Sequence, residues 1–293
     1  MKSINILTYN INHNKTTVFF DLLKNIVQNY KVHIIVLQES SGIDITKTLN
    51  NFTEVAYLAN KEQKWVRIFI KSKIGLDYKN TASYMFNKMI CTIITLNGKT
   101  VFTLMGAHFY SLFGKSTTEQ CMKNYEVPRL IQEYEIIAKS EKTVLVGDLN
   151  YRMHDIALHN HSFLNATNSK KIIRHFGKRD LGRGNSAKYF YNPMWNILGD
   201  YDHSTKSETV PGSFYWIADD AEKYYWNLID GLLLRPEIMD NVPINKIKII
   251  TEVKDSGTGL TKPLLKDTLI NNKDSFIDKT HSDHLPIVFT LKI

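Results

Sequence analysis

The chain contains 293 residues, of which 43% are hydrophobic and 23% are charged, an ordinary composition for a globular protein with one large core. No stretch approaches the roughly 20 apolar residues that span a bilayer, and the N-terminal residues lack the apolar core of a secretory signal, so we expect a cytoplasmic protein without a transmembrane segment. Two cysteines without a CxxC pair argue against a zinc ribbon, whereas the net charge of +8 favours polyanionic partners such as nucleic acid or inositol phosphates.

The first 150 residues alternate between strand patterns and helix patterns. Short apolar runs predict strands at residues 4–11, 32–40, 65–74, 88–96, 101–109 and 143–150. Apolar residues at helical spacing predict helices at residues 18–30 and 117–140, with Pro128 as a candidate kink or break in the second helix. The Gly-containing turn at residues 98–100 indicates a hairpin between two of these strands.

The pattern fades between about residues 154 and 225, a region rich in His, Lys, Arg, Asn, Gly, Tyr and Trp. We interpret this region as a loop-rich basic insertion that faces the substrate. Strand patterns return at residues 226–234, 245–253 and 284–291, and we interpret residues 254–280 as a surface excursion. Because no internal repeat or clear linker divides the chain, the simplest interpretation is a single α/β domain over residues 1–293.

Polar side chains stand at the ends of several predicted strands. They are Asn10, Glu39, His108, Asp148, Asn150, Asp230, Asp283 and His284. Taken singly, each has a structural explanation, as a turn former, a helix cap or a structural histidine. Because the strands of one sheet can bring their ends together at one edge, we expect these side chains to form one pocket.

A pocket of this composition predicts a metal ion. Carboxylates at short range raise one another's pKa unless a cation neutralises them. Carboxylate and amide oxygens without a thiolate suit a hard ion, so we predict Mg²⁺ or Mn²⁺ as the cofactor. A hard ion beside histidines suits the attack of water on a phosphate ester.

Six motifs occur in order along nearly the whole chain: "TYNI", "LQE", "GAH", "GDLN", "IDGLLL" and "SDHLPI". Together they resemble the endonuclease/exonuclease/phosphatase superfamily, the group of DNase I, the abasic-site endonucleases, the inositol polyphosphate 5-phosphatases and the neutral sphingomyelinases. The resemblance implies a DNase I-like α/β fold, a four-layer sandwich of two mixed sheets flanked by helices, with the site at one edge.

The resemblance also implies roles for the residues that match these motifs. Glu39 is then the main metal ligand, with Asp283 as a second contributor and Asn10 as a metal or phosphate contact. Asp148 would orient or deprotonate the attacking water, and Asn150 would donate hydrogen bonds to that water or to a phosphate oxygen.

The two histidines take the remaining roles that the resemblance implies. His284 would bind the scissile phosphate, and Asp230 would fix its tautomer and favour the imidazolium. His108 would be a second phosphate contact or the acid for the leaving group.

The substrate is indicated by two features that point in different directions. "GDLNYR" resembles the 5-phosphatase form, in which Tyr151 and Arg152 would bind substrate, although the phosphatase-type Trp-Cys-Asp-Arg segment is absent. The basic residues Lys170, Lys171 and Arg174, with aromatic residues following them, favour nucleic acid, because lysine and arginine neutralise backbone phosphates and aromatic rings stack on bases. The alternative for this segment is a solvated loop.

We therefore predict a Mg²⁺-dependent phosphoesterase, a nuclease that hydrolyses phosphodiester bonds in nucleic acid. The alternative is a phosphomonoesterase of the inositol polyphosphate or phosphoinositide 5-phosphatase type, with a phosphorylated small molecule as substrate. A third class is a binding module without catalysis. DNA or RNA as the substrate, endo or exo cleavage and the oligomeric state stay open at this point.

Overall fold

The computed structural model describes residues 2–57, 63–112, 116–200, 209–216, 225–266 and 275–293. Within these ranges the chain forms nineteen β-strands. In chain order they are β1 (Ser3–Asn10), β2 (Ile34–Gln38), β3 (Phe52–Glu54), β4 (Val66–Lys71), β5 (Leu76–Tyr84), β6 (Met89–Leu96), β7 (Lys99–His108), β8 (Thr143–Asp148), β9 (Ala166–Thr167), β10 (Lys178–Gly182), β11 (Asn185–Lys188), β12 (Phe190–Tyr191), β13 (Phe214–Tyr215), β14 (Trp226–Asn227), β15 (Asp230–Leu234), β16 (Ile247–Ile249), β17 (Glu252–Lys254), β18 (Thr261–Pro263) and β19 (Ile287–Lys292).

The same ranges contain five α-helices and three short 3₁₀ helices. The α-helices are α1 (Thr17–Asn29), α2 (Thr117–Asn124), α3 (Val127–Ala138), α4 (Ile156–His159) and α5 (Lys170–Phe176). The 3₁₀ helices cover Pro193–Asn196, Met239–Asn241 and Ile244–Lys246.

Helix α1 confirms the helix predicted at residues 18–30. The Thr16 hydroxyl accepts a hydrogen bond from the Phe19 amide at 3.2 Å, which caps the N-terminus of the helix. Phe19, Leu23 and Ile26 are fully buried against the first sheet, as expected for an amphipathic helix.

The helical pattern predicted at residues 117–140 forms two helices, which confirms the break considered near Pro128. Ser116 and Glu119 form a capping box at the start of α2. Pro128 lies in the first turn of α3. A proline is tolerated in a first turn, where its missing N–H has no helical partner, but not inside a helix, so a new helix begins at this point.

The first sheet has six strands in the order β16–β19–β1–β2–β4–β3. It is mixed, because β1 and β2 are parallel while β1 and β19 are antiparallel. Both of its faces are buried. Ile6 and Val36 point into the core shared with the second sheet, whereas Leu7 and Leu37 point into a second core with α1. Strand alternation accounts for this division.

The second sheet has seven strands in the order β5–β6–β7–β8–β15–β12–β9. The predicted hairpin is confirmed as the antiparallel pair β6 and β7, with Asn97 and Gly98 in the turn at positive φ values of 50° and 77°. Strands β7 and β8 pack against β1, β2 and β4 of the first sheet. At Gly106 a Cβ atom would lie 2.9 Å from Val36 Cγ1, so glycine allows this close approach.

The described part of residues 154–225 contributes to the core as well as to the surface. Strands β9 and β12 extend the second sheet, and Leu164, Phe190 and Met194 are buried. Residues 201–208 and 217–224 lie outside the described ranges. The expected loop-rich insertion is thus partly a structural element of the second sheet.

Two other expectations are modified by the structure. The strand predicted at residues 226–234 is divided: β14 pairs with β13, and β15 pairs with β8. In the expected surface excursion at 254–280, Leu264, Leu265 and Ile277 are buried in the core beside α1. Residues 267–274 lie outside the described ranges.

Within the described residues, none of the helices is both long enough and apolar enough to cross a bilayer. The expected cytoplasmic location stays a prediction.

Candidate active site

The two sheets bring six polar side chains together at one end of the sandwich. From the first sheet come Asn10 at the end of β1, Glu39 directly after β2, and His284 shortly before β19. From the second sheet come His108, Asp148 and Asp230 at the matching ends of β7, β8 and β15. Their register is direct, because Asp148 pairs with His108 on one side and with Asp230 on the other.

Asn10 lies at the centre of this cluster. Its Nδ2 atom donates to Asp148 Oδ2 at 2.9 Å and lies 3.2 Å from Glu39 Oε1. His108 Nε2 lies 3.6 Å from Glu39 Oε1 and 3.7 Å from Asp148 Oδ2. One amide and one imidazole therefore link a carboxylate of the first sheet to a carboxylate of the second.

His284 forms a pair with Asp230 beside this cluster. Its Nδ1 atom lies 2.7 Å from Asp230 Oδ2, and its Nε2 atom lies 3.4 Å from Asn10 Nδ2. The Ser213 hydroxyl donates to the same Asp230 oxygen at 2.6 Å. The Phe214 ring packs on the His284 ring with centroids 4.7 Å apart. Asp230 therefore holds the imidazole at Nδ1, and Phe214 packs against the ring.

Burial and neighbouring charges set the protonation of these groups. Burial raises the pKa of Asp148, and the charge of Asp230 raises it further, to about 7. Burial lowers the pKa of His284, but the charge and hydrogen bond of Asp230 outweigh it and raise that pKa to about 10. Burial lowers the pKa of His108 well below its usual value, and the Lys88 charge acts in the same direction. At neutral pH the arrangement favours a charged His284 and a neutral His108.

Gly147 explains why the strand before Asp148 contains a glycine. Its φ is +142°, and a Cβ atom there would lie 2.0 Å from the Ala107 carbonyl oxygen. Only glycine fits this backbone, which delivers Asp148 to the strand end. Leu149 is fully buried, as strand alternation predicts for the residue between Asp148 and Asn150.

Asn150 is held by its own hydrogen bonds after this strand. Its backbone N–H donates to Asp148 Oδ1 at 2.9 Å, and its Nδ2 donates to the Phe109 carbonyl at 3.0 Å. The Gln120 side chain donates to the Asn150 carbonyl at 2.7 Å. The hydrogen bond that we expected from Asn150 to water or phosphate would use the second N–H of the amide.

The carboxylates of Glu39 and Asp148, with the imidazole of His108, fit a hard divalent ion. One ligand atom from each of Glu39, His108 and Asp148 lies within 4.8 Å of the other two. The Glu39 side chain is 22% exposed, so an ion could reach it from solvent. Glu39 has a φ of +50°, a backbone strain of the kind that clusters at functional sites. The donor set contains oxygen and nitrogen and no thiolate, as expected for Mg²⁺ or Mn²⁺.

These residues line a cleft with a volume of about 970 Å³. Asp283 lies in its lining, where Ser282 Oγ is 3.5 Å from Asp283 Oδ1. Arg152 also lines the cleft, and its Nε donates to Asn227 Oδ1 at 2.8 Å. Apart from Asn10 and Asp230, the predicted catalytic and metal-binding residues lie in the cleft lining, and these two support it from behind through Asp148 and His284.

Of the other residues predicted to bind substrate, Tyr151 lies in the cleft lining but is buried, and the three basic residues lie outside the lining. The Tyr151 side chain is 1% exposed, and its hydroxyl accepts a hydrogen bond from Asn124 at 2.9 Å. Lys170 and Arg174 form ion pairs with Asp240 at 3.0 and 2.8 Å, and Lys171 is exposed on the same helix. None of the three basic residues is in the cleft lining.

Other residues at the site were not identified from the sequence. Gln120, Trp65 and Lys88 line the cleft, and Ser213 is buried behind it against Asp230. No local pattern marks the three cleft residues, because tertiary packing rather than a sequence motif brings each of them to the site. For Ser213, a local signal is the serine beside the aromatic run in "GSFYW".

Comparison with known proteins finds solved structures that are similar to this one. No protein-family model matches the sequence, and no curated protein matches it. The endonuclease/exonuclease/phosphatase family protein from Bacteroides thetaiotaomicron is similar, with a TM-score of 0.59 at 14% identity over 99% of this chain and 97% of that chain. The endonuclease domain of TRAS1, a telomere-specific non-LTR retrotransposon, has a TM-score of 0.52 at 14% identity, with 99% of both chains covered.

A third similar structure is D. rerio TDP2, solved in complex with a single-strand DNA product. Its TM-score is 0.50 at 15% identity, with 100% of both chains covered. At such identities the likeness concerns the fold. Together with the two mixed sheets and their helices, it confirms the DNase I-like α/β sandwich that the sequence predicted.

Proposed function

We propose that this protein is a divalent-metal-dependent phosphodiesterase that hydrolyses nucleic acid. The observation that carries this proposal is the meeting of an acidic cluster and a charged imidazole in one cleft. Glu39 and Asp148 supply the carboxylates, and His284 lies within reach of Asp148 while paired with Asp230. An anionic phosphate ester needs both a cation-binding group and a proton acceptor for hydrolysis by water.

In this proposal Glu39 and Asp148 would hold a Mg²⁺ or Mn²⁺ ion, with Asp283 as a further contributor and Asn10 as a hydrogen-bond donor to both carboxylates. When bound, the ion neutralises charge on the scissile phosphate and makes the phosphorus more electrophilic. The carboxylates are preorganised for this role, because Asn10 already contacts both Glu39 and Asp148.

Asp148 accepts the proton of the attacking water. As a carboxylate within hydrogen-bonding reach of the cleft, Asp148 is a suitable proton acceptor. The hydrogen bonds from Asn10 Nδ2 and the Asn150 backbone, both at 2.9 Å, fix the direction of the carboxylate. The water oxygen forms the new bond to phosphorus, the bond from phosphorus to the ester oxygen breaks, and that oxygen leaves with the bonding electron pair and takes up a proton from solvent.

His284 binds the non-bridging phosphate oxygens as an imidazolium. Asp230 holds its Nδ1, so Nε2 is directed toward the cleft and can donate to phosphate. His108 acts as a neutral hydrogen-bond donor to the same region, since its pKa is lowered. We therefore favour a phosphate contact for His108 over the role of acid.

Two observations support nucleic acid as the substrate. The net charge is +8, which favours a polyanion. Among the similar structures, one is an endonuclease domain and another was solved with a single-strand DNA product. The second candidate is a phosphomonoesterase acting on inositol phosphates, and its support is the position of Arg152 in the cleft, where a guanidinium could hold a non-scissile phosphate.

A substrate panel tests the choice between these activities. The wild-type protein is incubated with plasmid, single-stranded DNA, RNA and an inositol polyphosphate, in Mg²⁺, in Mn²⁺ and in EDTA. We expect cleavage of at least one nucleic acid in Mg²⁺ or Mn²⁺ and none in EDTA. Intact nucleic acids together with phosphate release from the inositol polyphosphate would assign the second candidate instead. Inertness toward the whole panel would favour a binding module.

Substitutions test the proposed roles of Glu39, Asp148 and His284 in hydrolysis. Glu39→Gln, Asp148→Asn and His284→Ala should each lower kcat/KM by at least about 100-fold, or roughly 2.7 kcal/mol. His281→Ala is the matched control, because His281 lies near His284 in the chain but pairs with Asp278 outside the cleft lining. Circular dichroism confirms that each variant is folded. Wild-type rates in any of the three would remove that residue from the mechanism.

A further inference from the structure

The turn between β5 and β6 presents an aromatic ring to solvent. Phe86 is 86% exposed, the largest exposed fraction of any large hydrophobic side chain in the described part of the chain. The ring therefore gains little of the free energy that burial gives a phenylalanine. Single exposed apolar residues are common, but the backbone that holds this one is not.

Three successive residues in this turn have left-handed backbone conformations. The φ values are 53° at Met85, 53° at Phe86 and 66° at Asn87. Asparagine tolerates this region, whereas a bulky side chain such as phenylalanine is strained in it. Backbone strain of this kind clusters at sites where a protein binds or acts on a ligand. The turn thus combines a strained backbone with an exposed ring.

Hydrogen bonds hold the turn in this conformation. The Lys88 amide donates to the Met85 carbonyl at 3.2 Å. Asn87 accepts from the Ser83 hydroxyl at 2.5 Å through Oδ1, and its Nδ2 donates to the Gln63 carbonyl at 3.2 Å. The surrounding structure therefore determines the strained backbone, and the ring projects from a well-supported turn.

The turn lies at the end of the second sheet that carries His108. Strand β6 pairs with β7, and the His108 amide donates to the Lys88 carbonyl at 2.7 Å. The Val66 amide donates to the Asn87 carbonyl at 3.2 Å, which joins the turn to the first sheet beside Trp65. Both Trp65 and Lys88 line the cleft. The exposed ring therefore belongs to the rim of the cleft rather than to its lining.

We propose that the Phe86 ring stacks on an unpaired nucleobase of a strand whose phosphate is bound in the cleft, and that it favours single-stranded over duplex substrate. This inference rests on the proposed nuclease activity. A strand bound at the catalytic cluster carries its flanking nucleotides out over the rim. Every nucleobase has a face on which an aromatic ring can stack. In a duplex the neighbouring base pairs cover these faces, so the ring gains no such contact.

The test compares Phe86→Ala with Leu260→Ala. Leu260 is an apolar residue, 68% exposed, in the turn between β17 and β18 and outside the cleft lining. The control thus removes an exposed apolar side chain away from the cleft. Binding of fluorescein-labelled single-stranded and duplex oligonucleotides is measured by anisotropy in EDTA. Phe86→Ala should weaken single-strand binding about tenfold and duplex binding by less than about twofold. Leu260→Ala should match the wild type with both.

An abasic oligonucleotide of the same length gives a second measurement, because it keeps the phosphates and lacks the bases. Phe86→Ala should bind this strand as tightly as the wild type does, since the ring has no base on which to stack. Phe86→Gly also removes the ring, and glycine adopts the left-handed conformation without strain. It should bind single strands as weakly as Phe86→Ala but melt at a higher temperature, which separates the loss of binding from any loss of stability.

Two results would overturn the proposal. The first is a wild-type affinity of Phe86→Ala for the single strand, which would mean that the ring contacts no base. The second is an equal loss of affinity for the single strand, the duplex and the abasic strand, which would mean that the substitution disturbs the cleft as a whole. Failure of the nuclease proposal is seen separately, because the wild-type protein itself would then neither bind nor cleave the oligonucleotides.

Discussion

Ser213 determines how the carboxylate of Asp230 meets His284. Its hydroxyl donates to Asp230 Oδ2 at 2.6 Å and accepts from the Asp230 backbone N–H at 3.2 Å. The same Oδ2 atom lies 2.7 Å from His284 Nδ1. Because one oxygen serves both partners, the serine fixes the rotation of the carboxylate and, through it, the direction of the imidazole. Ser213 is therefore a positioning residue rather than a catalytic one.

Replacement of Ser213 should affect turnover more than binding. Ser213→Ala removes one hydrogen bond to a charged group, about 1.5 kcal/mol, and should lower kcat about tenfold with little change in KM. Ser213→Thr retains the hydroxyl and should recover most of the rate. Steady-state kinetics on the cleaved substrate, with a thermal melt of each variant, measure this. A threonine variant as slow as the alanine variant at equal stability would contradict the positioning role.

The backbone conformation of Gly147 leads to a prediction about stability. In Gly147→Ala the new methyl would lie 2.0 Å from the Ala107 carbonyl oxygen, at a φ of +142°. We expect a loss on the order of 3 kcal/mol in the free energy of unfolding, measured by urea denaturation. Gly257→Ala is the control, since its nearest contact is 3.4 Å, and it should change stability by less than about 0.5 kcal/mol. Equal effects of the two substitutions would refute this explanation of the "GDLN" glycine.

At this scale the sequence predicted the polar residues at the strand ends but not the residues that hold them. Asp148 and His284 could be identified because a polar residue beside an apolar strand is a local pattern. Ser213 could not, because its contact with Asp230 depends on the docking of β13 beside β15. For Lys170 and Arg174 the charge pattern does not show that Asp240, 66 residues beyond Arg174 in the chain, pairs with both of them. Their contact with substrate stays a prediction.

The strand pair β3 and β4 supports the loop that carries Glu39. Arg67 on β4 is 2% exposed and donates to the carbonyl of Ile43 in that loop. Glu54 on β3 accepts from Arg67 Nη2 at 2.6 Å and from Lys64 Nζ at 2.9 Å. The buried guanidinium thus has a carboxylate on one side and the Glu39 loop on the other.

This network should make stability depend on pH. Burial raises the pKa of Glu54, but the hydrogen bonds of Arg67 and Lys64 outweigh it and lower that pKa below its usual value. A lowered folded-state pKa stabilises the protein above the unfolded value of about 4.3, and this stabilisation is lost as the pH falls through the folded value. Glu54→Gln should cost on the order of 2 kcal/mol at pH 7.

The measurement is urea unfolding of the wild type and Glu54→Gln at pH 7, 5, 4 and 3.5. The difference in the free energy of unfolding between the wild type and Glu54→Gln should be constant from pH 7 to 5. It should shrink below about pH 4. Glu133→Gln is the control, because its ion pair with Arg129 is exposed and contributes little. If this difference in the free energy of unfolding grew on acidification, the pKa of Glu54 would be raised on folding and not lowered.

Elements with strong local signals were predicted well, and elements defined by their partners were not. Helix α1 and the hairpin of β6 and β7 follow from periodicity and a turn. By contrast, β9 and β12 have two residues each, too few to show a period, and exist because they pair with one another and with β15. The division between β14 and β15 has the same cause, since each pairs with a different strand.

At the scale of the whole molecule, the candidate metal ligands come from both sheets. Glu39 follows β2 of the first sheet, and Asp148 ends β8 of the second. An ion bound to both would raise the free energy of unfolding by RT ln(1 + [M]/Kd), or about 2.7 kcal/mol at 100 times the Kd.

Metal removal should therefore lower the melting temperature. We expect the midpoint in saturating Mn²⁺ to exceed that in EDTA by several degrees, as measured by differential scanning calorimetry. Glu39→Gln should reduce this difference, whereas Glu133→Gln, exposed on α3, should retain it. An equal response to Mn²⁺ in both variants would place the ion elsewhere.

The position of the cleft across the two sheets couples catalysis to the integrity of the sandwich. Since the ion would favour the packed state, the packed state must favour the ion by the same free energy. A substitution deep between the sheets, such as one at Gly106 against Val36, would then weaken metal affinity without touching a ligand. Activity would then depend on the packing of the two sheets. Activity would be lost before the chain as a whole unfolds.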